Sequence, residues 1–129
     1  MKPELTYLLF SVVLTFVQVV IAAAAAHQVV GLTTLAVNRD GMKEMPGFAG
    51  RARRAHLNMV ENMVLFSALV LIAVVANKTN ATTAMGALIF FWARLVYAVI
   101  YLLGVPWLRT LAWAVSVIGM VMVAWPLFS

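Results

Sequence analysis

Four stretches of about 20 apolar residues, divided by short polar breaks, leave this chain few folds to adopt. They run from about Leu5 to Ala26, Ala55 to Ala76, Ala81 to Leu103 and Trp107 to Leu127. A helix needs about 20 such residues to cross the hydrocarbon layer of a bilayer. Inside that layer a helix satisfies its own backbone hydrogen bonds, which an open strand or a lipid-exposed loop cannot do. Composition points the same way. Of 129 residues, 65% are hydrophobic and 10% charged, against roughly 45–50% and about 25% in soluble domains. So few charges cannot coat a water-soluble globule, which excludes a soluble enzyme, a disordered chain and a secreted disulfide module. Cysteine is absent, which removes disulfides, thiolate metal sites and a cysteine nucleophile. The expectation is an all-α integral membrane protein with one four-helix transmembrane domain over residues 1–129.

The breaks between spans are legible. Asn77-Lys78-Thr79-Asn80 forms a short polar turn, and Gly104-Val105-Pro106 stops the third helix, because proline cannot continue a helix from the preceding turn. The first connection is longest and holds Asn38-Arg39-Asp40-Gly41 and Pro46-Gly47, with the first helix extending toward Val37. Short loops make neighbouring helices antiparallel, which predicts a four-helix bundle. The alanine run Ala22 to Ala26 suits close helix packing. Together with Lys2 it also imitates a signal peptide, but the apolar run is longer than the usual ~7–15 residues and Glu4 interrupts the charged region.

The net charge of +5 reflects orientation rather than nucleic-acid binding. Arg39, Lys43, Arg51, Arg53, Arg54 and Arg109 lie on one side of the spans, and only Lys2 and Lys78 on the other. Positive residues collect on the cytoplasmic side. The first loop is therefore expected in the cytoplasm and both termini on the far side of a cell inner membrane.

Ionisable residues inside a membrane span are costly and are functional candidates by default. In the second span Arg51, Arg54, Asn58 and Glu61 are spaced three, four and three, with Asn62 beside them. That spacing shares one helical face. Arg94, Tyr97 and Tyr101 repeat it in the third span, and Arg109, Trp113 and Ser116 in the fourth, with Thr110 adjacent. With this orientation all three groups fall at a similar depth near the cytoplasmic side. A structural reading exists as well: Arg94 paired with Glu61 would hold helices together, and Arg51, Arg53 and Arg54 would reach the headgroups. The functional reading asks for an anionic ligand. Three guanidinium groups (Arg54, Arg94 and Arg109) face one carboxylate (Glu61), and arginine forks recognise carboxylates. Asn58 can donate or accept, and Glu61 can hold an ammonium. An amino-acid-like or peptide-like molecule entering from the cytoplasm fits.

The segment Gly50-Arg51-Ala52-Arg53-Arg54-Ala55-His56-Leu57-Asn58-Met59-Val60-Glu61-Asn62 resembles the signature of the membrane-associated proteins in eicosanoid and glutathione metabolism, the MAPEG family. Its core R-A-H-x-N-x-x-E lies at the start of the second span, as in that family, and the four-span layout matches. The resemblance implies a homotrimer binding glutathione as co-substrate between subunits near the cytoplasmic side. It assigns Asn58 and Glu61 to glutathione's polar ends, with Arg54 and His56 supporting the helix junction. Arg94, Tyr97 and Tyr101 resemble a family run R-x-x-H-x-x-x-Y in which Tyr97 replaces His. Arg109-Thr110 resembles an Arg-Ser pair near the glutathione sulfur, with Trp113 in place of a Tyr. Leu57 and Gly50 depart from the pattern, standing where family members often have Arg and Glu. The resemblance would match Arg39 to a ligand-binding Arg at the end of the first helix, although the loop lengths differ.

These readings combine into one expected activity, conjugation of glutathione to lipophilic electrophiles. Arg54, Asn58, Glu61, Arg94, Tyr97, Tyr101 and Trp113 would bind the tripeptide. A free thiol has a pKa of about 8.5, and a cation in a partly dry site lowers it. Arg109 would stabilise the thiolate and Thr110 donate to the sulfur, while the electrophile arrives from the bilayer. Three other readings compete: a binding or structural protein that kept the fold without the chemistry, a small anion transporter, and a haem protein using His27 and His56. Eight methionines are scattered, as packing residues are.

Overall fold

The computed structural model describes residues 1–30 and 46–129. The described residues form four long helices: α1 (Pro3–Val30), α2 (Gly47–Val75), α3 (Ala81–Leu103) and α4 (Pro106–Ala124). A 3-10 turn, Trp125–Phe128, follows α4. All four spans are long and apolar enough to cross a membrane, and no strand occurs among the described residues. The expected extension of α1 toward Val37, the Asn38-Arg39-Asp40-Gly41 turn and Lys43 lie outside the described residues.

One boundary differs from the sequence expectation. α2 begins at Gly47 rather than near Ala55, so Arg51, Arg53 and Arg54 sit within the helix. The apolar run marks where a span is greasy, whereas a helix propagates just as well through alanine and arginine, both strong helix formers.

The two short turns fix the helix ends. Asn80 caps α3: its side chain accepts from the backbone N–H groups of Thr82 and Thr83 at 2.9 and 3.0 Å. The Thr83 hydroxyl oxygen accepts from the Asn80 N–H at 2.8 Å, completing a capping box. At the other end Gly104 adopts the left-handed conformation, φ +82°, and its N–H donates back to Ile100 and Tyr101. Glycine takes this conformation without a Cβ penalty. Pro106 then opens α4 at a position where no N–H is needed.

α3 and α4 form the closest pair. They cross where Gly86 meets Gly119, and a Cβ added at Gly86 would lie 2.6 Å from the Gly119 carbonyl oxygen. Small residues at a crossing let backbones approach, the main source of helix adhesion in lipid. Around this crossing Met59, Phe66 and Val70 of α2 pack with Ala87 and Phe90 of α3 and with Met120 and Val123 of α4. The Phe66 and Phe90 rings stack at 3.9 Å. Nearer the α3–α4 turn, Ala55, Tyr97, Tyr101 and Ala112 form a second buried cluster.

α1 lies against α2 and α3. Of the alanine run, Ala22 and Ala26 are buried and Ala23 and Ala24 exposed, so only one edge of it packs. At the start of α1 the carboxylate of Glu4 is buried and accepts from the Thr83 hydroxyl at 2.9 Å.

α2 presents two seams on opposite sides. Ala55, Met59, Asn62, Phe66, Val70 and Ala73 are buried against the bundle. Leu57, Glu61, Val64, Ala68, Leu71 and Val75 are all exposed, and their spacing alternates four, three, four, three, four. The alternation marks one stripe along the outward face of the helix, the kind of stripe by which helices pair.

Candidate functional site

The predicted polar layer forms from three helices. Asn58 of α2, Tyr97 of α3, and Arg109, Thr110 and Trp113 of α4 line one open crevice of about 140 Å³. Its position follows from the Gly104–Pro106 turn. Reversing the chain there returns Arg109 beside Tyr101, with the guanidinium carbon 4.5 Å from the ring centroid, a distance at which a cation is attracted to the ring face.

Beneath the crevice lies Arg94, only 1% exposed. Its Nη2 donates to the Asn58 side-chain oxygen at 2.7 Å. Its guanidinium carbon sits 4.1 Å from the Tyr97 ring centroid, while Nε and Nη1 are buried without hydrogen-bond partners. The structural reading of an Arg94–Glu61 pair is thus replaced. Among the described residues no ion pair joins the two, and Asn58 receives the guanidinium. Asn58 is half-buried and reaches α3 through this bond, whereas Glu61, three residues on, is exposed.

Tyr101 holds two cations near the crevice. Its hydroxyl accepts from Arg54 Nε at 3.2 Å, and Arg109 stacks on its ring. It is itself buried and is not part of the crevice wall. Arg51 donates from Nε to the Leu102 carbonyl at 3.1 Å, covering an orphan carbonyl at the negative end of α3.

The candidate residues therefore divide. Asn58, Tyr97, Arg109, Thr110 and Trp113 meet in the crevice. Arg94, Tyr101 and Arg54 lie behind it through the contacts just given. Glu61 is exposed one turn along α2 and outside the lining. Thr110 is also exposed, and its hydroxyl donates to the Pro106 carbonyl of its own helix at 3.4 Å, long enough to be exchanged readily for another acceptor. Ser116 shares the spacing of Arg109 and Trp113 but is buried and donates to the Trp113 carbonyl at 2.6 Å. His27 is exposed on α1 and His56 half-buried on α2. Among the described residues no group of three His, Cys, Asp or Glu could hold a metal ion.

Asn62 has a larger part than its sequence reading gave it. Its Nδ2 donates to the backbone carbonyl of Asn58 at 2.8 Å and to the Asn58 side-chain oxygen at 3.2 Å. The four-residue spacing on one helix was the available signal.

The model of the MAPEG family matches residues 5–129, essentially the whole chain. Neither a curated protein nor a solved structure matches it.

Proposed function

The chain belongs to the MAPEG family, and from that premise we propose that it is a glutathione-dependent membrane transferase joining the glutathione thiolate to lipophilic electrophiles. The observation that carries this reading is the crevice itself. Three helices contribute Asn58, Tyr97, Arg109, Thr110 and Trp113 to one cationic, hydrogen-bonding crevice that opens on the side of an otherwise apolar bundle.

Arg109 is the group best placed for the thiol. Its positive charge favours the ionised sulfur in a site partly shielded from water, and each unit of thiol pKa lowered is about 1.4 kcal/mol of differential stabilisation. The thiol proton leaves to water. The sulfur then forms a bond to the electrophilic carbon, either displacing a leaving group that departs with the bonding pair or adding to a double bond whose resulting carbanion takes a proton from water. The Thr110 hydroxyl exchanges its long bond to Pro106 for one to the sulfur. The electrophile enters laterally from the bilayer, and holding both partners together is itself a rate contribution.

A single chain supplies part of this site. Small-molecule sites run to about 300–1,000 Å³, whereas this crevice holds about 140 Å³ and Glu61 faces outward on the exposed seam of α2. Packing that seam against copies of itself would bring a second chain beside Glu61 and enlarge the site. This supports a homo-oligomer, read as a trimer with glutathione between subunits. The polar layer lies near the cytoplasm when the first loop is cytoplasmic, as the positive residues suggest, and the membrane is then the cell inner membrane.

The test is glutathione titration of the purified protein in detergent, followed by a conjugation assay with a chromogenic aryl halide. Saturable binding with turnover is the expected result. Binding without turnover would leave a non-catalytic glutathione-binding protein, and absence of binding would remove the reading.

A further inference from the structure

The orientation of the Asn58 carboxamide is fixed by its neighbours. The Asn58 backbone carbonyl can only accept, so the Asn62 atom 2.8 Å from it is the amide nitrogen. That same nitrogen lies 3.2 Å from one limb of the Asn58 carboxamide, which must then be the oxygen. Arg94, a donor only, reaches the same oxygen at 2.7 Å. Two independent donors, Asn62 and Arg94, therefore hold the Asn58 oxygen.

We infer that Arg94 is a positioning residue: it pins the Asn58 oxygen so that the Asn58 NH2 group faces the crevice, and the crevice thereby takes the anionic part of its ligand and rejects the ammonium. This rests on the glutathione reading and deepens it. With Asn58 so turned, the crevice wall consists of an amide donor, the Arg109 guanidinium, the Trp113 indole and two hydroxyls, and no carboxylate. Were the carboxamide reversed, its oxygen would meet the ligand and could receive an ammonium. Arg94 is suited to preventing this. It is buried, it carries its charge at neutral pH, and the Tyr97 ring supports its guanidinium from one side. A charged donor makes a stronger hydrogen bond than a neutral one, so Arg94 outweighs Asn62 in setting the orientation.

The experiment uses the full chain in detergent micelles with asparagine side chains labelled by 15N. Arg94→Leu removes the donor and with it a buried charge that has two unbonded nitrogens, so the fold should persist. Arg94→Lys restores one donor. The Asn58 NH2 resonances, assigned by their loss in Asn58→Ser, are expected to shift in Arg94→Leu without ligand and to return toward the original position in Arg94→Lys. Glutathione affinity is expected to fall at least tenfold in Arg94→Leu and to recover partly in Arg94→Lys. In an Asn58→Ser background, Arg94→Leu should cost less than twofold more. Unchanged Asn58 resonances in a folded Arg94→Leu protein, or full additivity of the two losses, would overturn the positioning role. If the resonances shift as expected but the unaltered protein binds no glutathione, the positioning stands and the transferase reading fails instead.

Discussion

Gly86 and Gly119 leave each other no room for a side chain. A Cβ at Gly86 would come within 2.6 Å of the Gly119 carbonyl oxygen, and one at Gly119 within 2.7 Å of the Gly86 carbonyl oxygen. Both obstacles are backbone, which cannot swing aside. This crossing sets how close α3 and α4 run at the end away from the Gly104–Pro106 turn.

Gly119→Ala is therefore expected to destabilise the bundle despite alanine's better helix propensity. Overpacking a tight interface costs about 1–3 kcal/mol, which exceeds the ~1 kcal/mol gained from replacing glycine in a helix. Thermal unfolding in detergent, followed by circular dichroism, should show a lower midpoint. A raised midpoint would mean the helices separate without penalty.

Arg109→Ala should lower the turnover of glutathione conjugation by roughly 10²–10³, the range seen when a group that stabilises developing charge is removed. Because Asn58 and Trp113 remain, glutathione affinity should change less than turnover. Steady-state kinetics with varied glutathione measures both. Full retained activity would exclude Arg109 from the thiolate role.

Thr83→Val strips the Glu4 carboxylate of the hydroxyl that donates to it at 2.9 Å. A buried polar group left unsatisfied costs about 1–3 kcal/mol, more when charged. Valine preserves the shape but also breaks the capping box. The double variant Glu4→Leu with Thr83→Val isolates the buried group, since it removes both partners. It should be more stable than Thr83→Val alone, and comparing the melting midpoints decides this.

The exposed seam of α2 should be a contact between copies. The chain has no cysteine, so single substitutions report proximity cleanly. Val64→Cys, Ala68→Cys and Leu71→Cys should form intermolecular disulfides in membranes under mild oxidation, read as dimers on a non-reducing gel. Ile118→Cys, exposed on α4, is the comparison. Equal crosslinking at Ile118 and the seam would argue for random collision.

The span count, the two short turns and the depth shared by Asn58, Tyr97 and Arg109 were legible because they follow from local rules: apolar length, proline and glycine chemistry, and helical periodicity. The R-A-H-x-N-x-x-E motif was equally plain, and the family match covers the same chain. Spacing alone put Ser116 with Arg109 and Trp113, yet Ser116 points into the core. A period of 3.6 says which residues share a stripe, not which edge of that stripe meets a neighbour.

Sequence by itself determined that this chain lives in a bilayer as four helices, since the solvent alone dictates that outcome. Tertiary structure decided the partners within the polar layer: Arg94 on Asn58 rather than Glu61, Arg54 and Arg109 on Tyr101, and Glu61 left on an outer seam. Those choices depend on how helices rotate and how closely they approach. Both depend on tertiary contacts, such as the turn at Gly104–Pro106 and the packing of Ala55, Tyr97, Tyr101 and Ala112, which bring together residues far apart in the chain.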